Sequence, residues 1–163
     1  MANEPAARIE HLCDAPGAAP GAAPTLAAWF IAEWEPWYGS GGDAAAAADL
    51  AACASRDALP ICLVALDDGD VPLGTVALKQ ESAGSETGQG PWLAALLVDP
   101  ARRREGIATA LIATLEDEAR RLGFAAIYTS TDTAASLMQR RGWTEVGTTD
   151  TLRGRVAIFR RDL

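Results

Sequence analysis

The chain has 163 residues, 49% of them hydrophobic and 22% charged, an ordinary globular composition that excludes disorder over its whole length. Its net charge of −8 argues against a general nucleic-acid binder. The longest apolar runs, Trp92 to Val98 among them, are far short of the roughly 20 residues that span a bilayer.

The expectation is one domain over residues 1–163, in the cytoplasm, because the opening Met1-Ala2-Asn3-Glu4-Pro5 carries no basic or apolar leader. Cys13, Cys53 and Cys62 are too far apart in sequence for a zinc motif and read as reduced thiols, and a lone histidine, His11, anchors no metal cluster. No metal is expected. Charge is unevenly spread: residues 1–100 carry 3 basic and 14 acidic side chains, and residues 101–163 carry 11 and 8. Such a split suits a protein that offers one face to an anion and another to a cation, although solvated surface charge explains it equally well.

In chain order, Arg8 to Leu12 reads as a first strand and residues 14–24 as a Pro/Gly/Ala loop. Thr25 caps a helix that carries Leu26, Trp29, Phe30 and Trp34 and stops before Pro36. Asp43 caps a second, alanine-rich helix reaching about Ser55. Pro60 to Leu66 and Val71 to Leu78 form strands around the turn Asp67-Asp68-Gly69-Asp70, and residues 81–90 form a polar loop. Trp92 to Val98 is apolar throughout, the signature of a central strand covered on both faces. From Ile107 the period changes: Ile107, Ala110, Leu111, Leu115, Ala119 and Leu122 make a helical stripe that ends at Gly123. Phe124 to Thr129, a short helix from Ala134 to Arg141, and strands at 143–147 and 155–160 complete the order βααβββαβαββ. The fold class is α/β, with a mixed seven-stranded sheet and about four helices.

The informative stretch is Val98-Asp99-Pro100-Ala101-Arg102-Arg103-Arg104-Glu105-Gly106-Ile107-Ala108, which joins the buried strand to the amphipathic helix. Three arginines just before a helix N-terminus oppose its partial positive charge, and the first-turn N–H groups lack intrahelical partners. An anion with several oxygens docked there resolves both, with Gly106 letting it approach the backbone. A turn with solvated arginines is the plain alternative. The chain has neither a P-loop nor an early Gly-x-Gly-x-x-Gly.

Arg103-x-x-Gly106-x-Ala108 after Val98-Asp99-Pro100 resembles the pyrophosphate loop of the Gcn5-related N-acetyltransferases (GNAT). Ala134-x-x-Leu137-Met138-x-x-x-Gly142-Trp143 and the terminal Val156-Ala157-Ile158-Phe159-Arg160 are similar to that family's later motifs, so the resemblance spans nearly the whole chain. It implies a mostly antiparallel sheet and acetyl-coenzyme A as co-substrate, lying between the 92–98 and 124–129 strands. Main-chain groups of Leu96, Leu97 and Val98 would pair with the pantetheine amides. Amides from Arg103 through Arg104, Glu105, Gly106, Ile107 and Ala108 would surround the pyrophosphate, with Arg102 or Arg104 adding charge. An N–H near Leu97 would face the thioester carbonyl.

Two departures follow from the same alignment of motifs. Met138 stands where many members have a tyrosine that protonates the leaving thiolate, and Thr131 where they often have an asparagine contacting the coenzyme. Either the thiolate leaves unaided or takes its proton from water, or Tyr128 or Ser136 substitutes. Otherwise the chain binds acyl-coenzyme A without turning it over. Glu33 and Glu35, beside Trp29, Trp34, Trp37 and Tyr38, together with Glu81 and Glu86, are candidate bases and attractants for the acceptor. Read singly, each acid is solvated surface and each tryptophan core. The expectation is acetyl transfer to a small primary amine, with neither nucleic acid nor membrane as partner. A homodimer stays open.

Overall fold

The computed structural model describes residues 7–14, 23–33, 48, 50–53, 55–152 and 154–163. Its elements are β1 (Arg8–His11), α1 (Ala23–Glu33), β2 (Ile61–Leu66), β3 (Pro72–Lys79), β4 (Trp92–Val98), α2 (Ile107–Arg121), β5 (Ala126–Thr131), α3 (Ala135–Arg140), β6 (Thr144–Thr151) and β7 (Gly154–Asp162). Residues 48 and 50–52 are also helical. They belong to the expected alanine-rich helix, most of which lies outside the described residues, as do Trp34, Glu35, Trp37 and Tyr38.

Seven strands form one sheet in the order β1-β2-β3-β4-β5-β7-β6. Every neighbouring pair is antiparallel except β4 and β5. One face packs on the stripe of α2: Ile107, Leu111, Ile112, Leu115 and Ala119 are buried against Leu63, Val76, Leu78, Leu93, Ile127 and Phe159. Each such side chain withdrawn from water contributes about 1.5–3 kcal/mol. On the other face, Leu26 and Phe30 of α1, with Leu50 and Cys53, cover Cys62, Val64, Leu66 and Leu97.

Several boundaries differ from expectation. Leu12 begins a 3₁₀ turn instead of ending β1, and α1 starts two residues before Thr25. β6 and β7 run to Thr151 and from Gly154, longer than read. β6 is an edge strand with only Thr149 buried, so no apolar alternation announces its second half. Its pairing with β7, out to Thr151 opposite Gly154, is what extends it.

His11 lies against α2, and two of the three cysteines are buried. The ring of His11 contacts the Glu118 carboxylate through Nε2, and Arg121 holds the other Glu118 oxygen at 2.7 Å. Cys53 and Cys62 are buried and Cys13 is exposed. A hydrogen bond with Cys53, together with burial, pushes the Cys62 thiol well up. No helix of the described residues is long and apolar enough to cross a membrane.

Candidate functional site

The site begins with an irregularity in β4. Thr75 faces Leu97 and Ala77 faces Ala94, so β4 carries one residue more than β3 over that interval. Ala95, at φ +54°, absorbs it. Such a bulge bends a strand and turns its side chains. Here it coincides with the departure of β5, whose register with β4 consists of the single pair Trp92–Tyr128. Beyond it, Ala94, Ala95 and Leu96 are half-exposed, which corrects the expectation of a strand covered on both faces throughout. These residues have lost the neighbour that would have covered them.

Ladder alternation decides which main-chain groups face the gap. The Asp99 N–H donates to Leu73 O at 2.8 Å, so the pair Gly74–Val98 is of the non-bonded kind and Thr75–Leu97 is bonded again. The N–H of Leu97 is thereby turned toward β3. Its neighbour Val98, in the non-bonded pair, presents its N–H to the opening. Val98 O accepts from Arg103 Nε at 3.4 Å, consistent with a carbonyl that looks away from β3.

The turn after β4 is built by its own side chains. Asp99 Oδ1 accepts from the Ala101 N–H at 3.0 Å and starts a 3₁₀ turn over Pro100–Arg102. Arg102 Nε donates to both oxygens of Glu105, at 3.1 and 3.0 Å, so that arginine is already paired. Arg104 is exposed at φ +67°. Gly106 caps α2 at φ +80°, and a Cβ placed there would meet nothing within 4 Å. The intrahelical ladder starts with Ala110 N–H to Gly106 O at 3.0 Å. Ile107, Ala108 and Thr109 therefore present N–H groups that no helical carbonyl can take. Open space in front of unpaired donors fits a polyanion.

The remaining candidates are spread around this centre. Tyr128 is buried beside Trp92, ring centroids 5.7 Å apart, with the Arg160 guanidinium 5.7 Å over its face. In register it stands level with Trp92, five positions upstream of Leu97, or about 16 Å along the strand. Thr131 Oγ1 accepts from the Ala134 N–H at 2.9 Å and shapes the entry to α3. Ser136 is exposed on α3, while Met138 is buried with Ile127 and Trp143 on the α2 side of the sheet.

On the opposite face, Trp29 is half-buried against the α1 cluster, and Glu33 ends α1, also half-buried. The 81–90 loop is pinned to the sheet by Trp92 Nε1, which donates to Gln89 O at 2.9 Å. The Thr149 hydroxyl donates to Glu86 at 2.6 Å. That bond and the Gly84 N–H hold the Glu86 carboxyl below its usual range. Glu81 is exposed. Sequence reasoning missed Thr149, because a threonine in a polar edge strand carries no signal until its partner is known. The described residues contain no group of three metal-ligating side chains.

A strand pair that opens beside a bulge and leads into unpaired helix-start amides can take an extended, phosphate-bearing ligand edge-on. The sequence profile of the acetyltransferase (GNAT) family matches residues 25–143, and the chain belongs to that family. It is an acetyl-coenzyme A-dependent N-acetyltransferase. No curated protein matches it in sequence. Among solved structures it is similar to an aminoglycoside 6′-N-acetyltransferase complexed with coenzyme A, with TM-score 0.74, 18% identity, and coverage of 95% of this chain and 96% of that one. An aminoglycoside 6′-acetyltransferase type Ii matches with TM-score 0.71 and 21% identity over 95% and 96%. A GNAT acetyltransferase from Staphylococcus aureus Mu50 matches with TM-score 0.69 and 14% identity over 97% and 99%. At these identities the likeness establishes the fold.

Proposed function

We propose that the chain acetylates the primary amine of a small cationic molecule by direct attack within a ternary complex. The observation that carries this is the half-exposed Ala94–Leu96 stretch opening directly into the Gly106 helix start. Acetyl-coenzyme A supplies the thioester carbonyl. Leu96 and Val98 offer main-chain groups to the pantetheine arm, and the amides from Arg103 to Ala108 surround the pyrophosphate, with Arg104 as the added charge. An N–H next to Leu97 is assigned to stabilise negative charge developing on the carbonyl oxygen.

An alkylammonium must lose a proton before it attacks, and Glu33 is the carboxylate assigned to take it. Glu86, kept ionised by Thr149 and Gly84, is a weak base, and its role is to attract the cation. The leaving thiolate, from a thiol of pKa about 8.5, needs no side-chain acid and takes its proton from water. The burial of Met138 and the distance of Tyr128 from Leu97 support this over a substitute acid. Ser136 is the remaining side-chain donor, and its exposure leaves it in competition with water. The acidic balance of residues 1–100 supports a cationic acceptor. So do the aminoglycoside acetyltransferases among the similar structures.

The test is a panel of diamines, aminoglycosides, neutral amines and amino acids, followed by free-thiol release from acetyl-coenzyme A. Turnover with cationic amines is the expected result. Turnover with neutral or acidic molecules alone would overturn the reading.

A further inference from the structure

Where β4 and β5 part, the face of the sheet turned away from α2 is floored by short side chains. Residues opposite each other in a ladder point to the same face. Ile127 and Phe159 lie against α2, whereas Trp92, Tyr128 and Ile158 cluster on the opposite face. Ser130 pairs with Ile158 and so shares that opposite face. Ala94 pairs with Ala77, which pairs with Cys62 beneath α1, and Ala95 packs on the same α1 cluster. The bulge thus sets two alanines in succession beside a serine on one face, all three half-exposed.

Two walls rise from this floor. One is α1, which covers Val64 and Leu97 and ends at Glu33. The other is the 81–90 loop, which lies across β4 and β7: a Cβ at Gly84 would fall 2.7 Å from Trp92 Cη2 and 3.1 Å from Ile158 Cδ1. Thr149 pairs with Val156, one step beyond the Thr131–Ala157 pair that ends β5, and there it holds Glu86 at 2.6 Å. A carboxylate is thereby fixed at the open end of the cleft. Arg160, toward the closed end over Tyr128, is matched by Asp162 at 2.7 Å. On β5, the Thr129 hydroxyl is taken by Leu93 O and the Thr131 hydroxyl by the Ala134 N–H. The Ser130 hydroxyl has no hydrogen-bond partner among the described residues.

We infer that Ser130 binds the acceptor, its Oγ accepting a hydrogen bond from the amino group that attacks the thioester. The inference rests on the proposed transfer to a cationic amine and names the residue that holds the nitrogen. A serine hydroxyl is no base at neutral pH, so its part is to place the amine over the Ala94–Ala95 floor, between the carboxylates of Glu33 and Glu86.

The experiment is steady-state kinetics of the full chain with 1,4-diaminobutane varied at saturating acetyl-coenzyme A, alongside calorimetric titration with coenzyme A. Ser130→Ala is expected to lower kcat/KM for the amine by about tenfold or more, with coenzyme affinity and melting temperature unchanged. Ser130→Thr and Ser130→Val have nearly the same shape and differ in the hydroxyl, and the threonine chain is expected to exceed the valine chain by a similar factor. Parent turnover with equal kcat/KM in Ser130→Ala, or in the Thr and Val chains, overturns the inference alone. So does a loss of coenzyme affinity in Ser130→Ala, which would place Ser130 on the coenzyme. A parent chain that turns over no cationic amine overturns the reading beneath it.

Discussion

The hydroxyl of Thr129 donates to the carbonyl of Leu93 across 2.9 Å, one step past the single register pair of β4 and β5. It is the last side-chain tie between those strands before Ala94–Leu96 emerge half-exposed. A buried threonine thus marks where the sheet stops closing and the cleft begins.

Thr129→Val removes that tie and leaves a buried carbonyl without its partner, a loss of about 1–3 kcal/mol in unfolding free energy. The base of the cleft loosens, so KM for acetyl-coenzyme A should rise several-fold with kcat little changed. Chemical denaturation and steady-state kinetics read the two effects. An unchanged KM would remove Thr129 from the account of the opening.

Gly106→Val tests the helix start. Backbone at φ +80° is strained for a β-branched residue, at about 1–3 kcal/mol. No neighbour lies within 4 Å to clash. The chain should therefore fold, with a modestly lower melting temperature, while coenzyme affinity falls by about tenfold or more because the amides lose their aim. Calorimetry on the folded variant checks this. Retained affinity would sink the pyrophosphate assignment.

Acid titration tests the bond between Glu86 and Thr149. The folded-state pKa of Glu86 is lowered, chiefly by the Thr149 hydroxyl, so its contribution to stability is present above the unfolded carboxylate pKa. It is lost as pH falls through the lowered folded value. Thr149→Val should therefore differ from the parent chain at neutral pH and converge with it in acid, once Glu86 is protonated in both chains. A difference that persists undiminished in acid would mean that the two residues are not linked through the charge.

Thiol labelling checks the burial of the cysteines. Cys13 is exposed, and Cys53 and Cys62 are buried, the Cys62 thiol held protonated by its partner and by burial. Iodoacetamide at neutral pH should alkylate one site in the native chain and three after denaturation, as counted by mass spectrometry. Rapid native labelling of Cys62 would contradict the packing of α1 on β2.

The amino-acid order alone was enough for the element succession, for the α2 stripe from Ile107 to Leu122, and for the glycine turn at Gly106 that opens α2, because each is written in local spacing and in residue types with strong backbone preferences. The family resemblance followed from those same residues. What lay beyond it depended on partners far apart in the chain. The bulge at Ala95 exists only against β3, and the exposure of Ala94–Leu96 only because β5 turns away after Tyr128. The direction of the Leu97 N–H is set by ladder alternation counted from Leu73. Thr149 acquires a role when the 81–90 loop folds over to meet it, and Glu116 can be buried only because Arg141, Trp143 and Arg161 converge on it from a distant part of the chain. Such relationships are set by pairing register and by which charges are desolvated together, and a linear string of residues encodes neither.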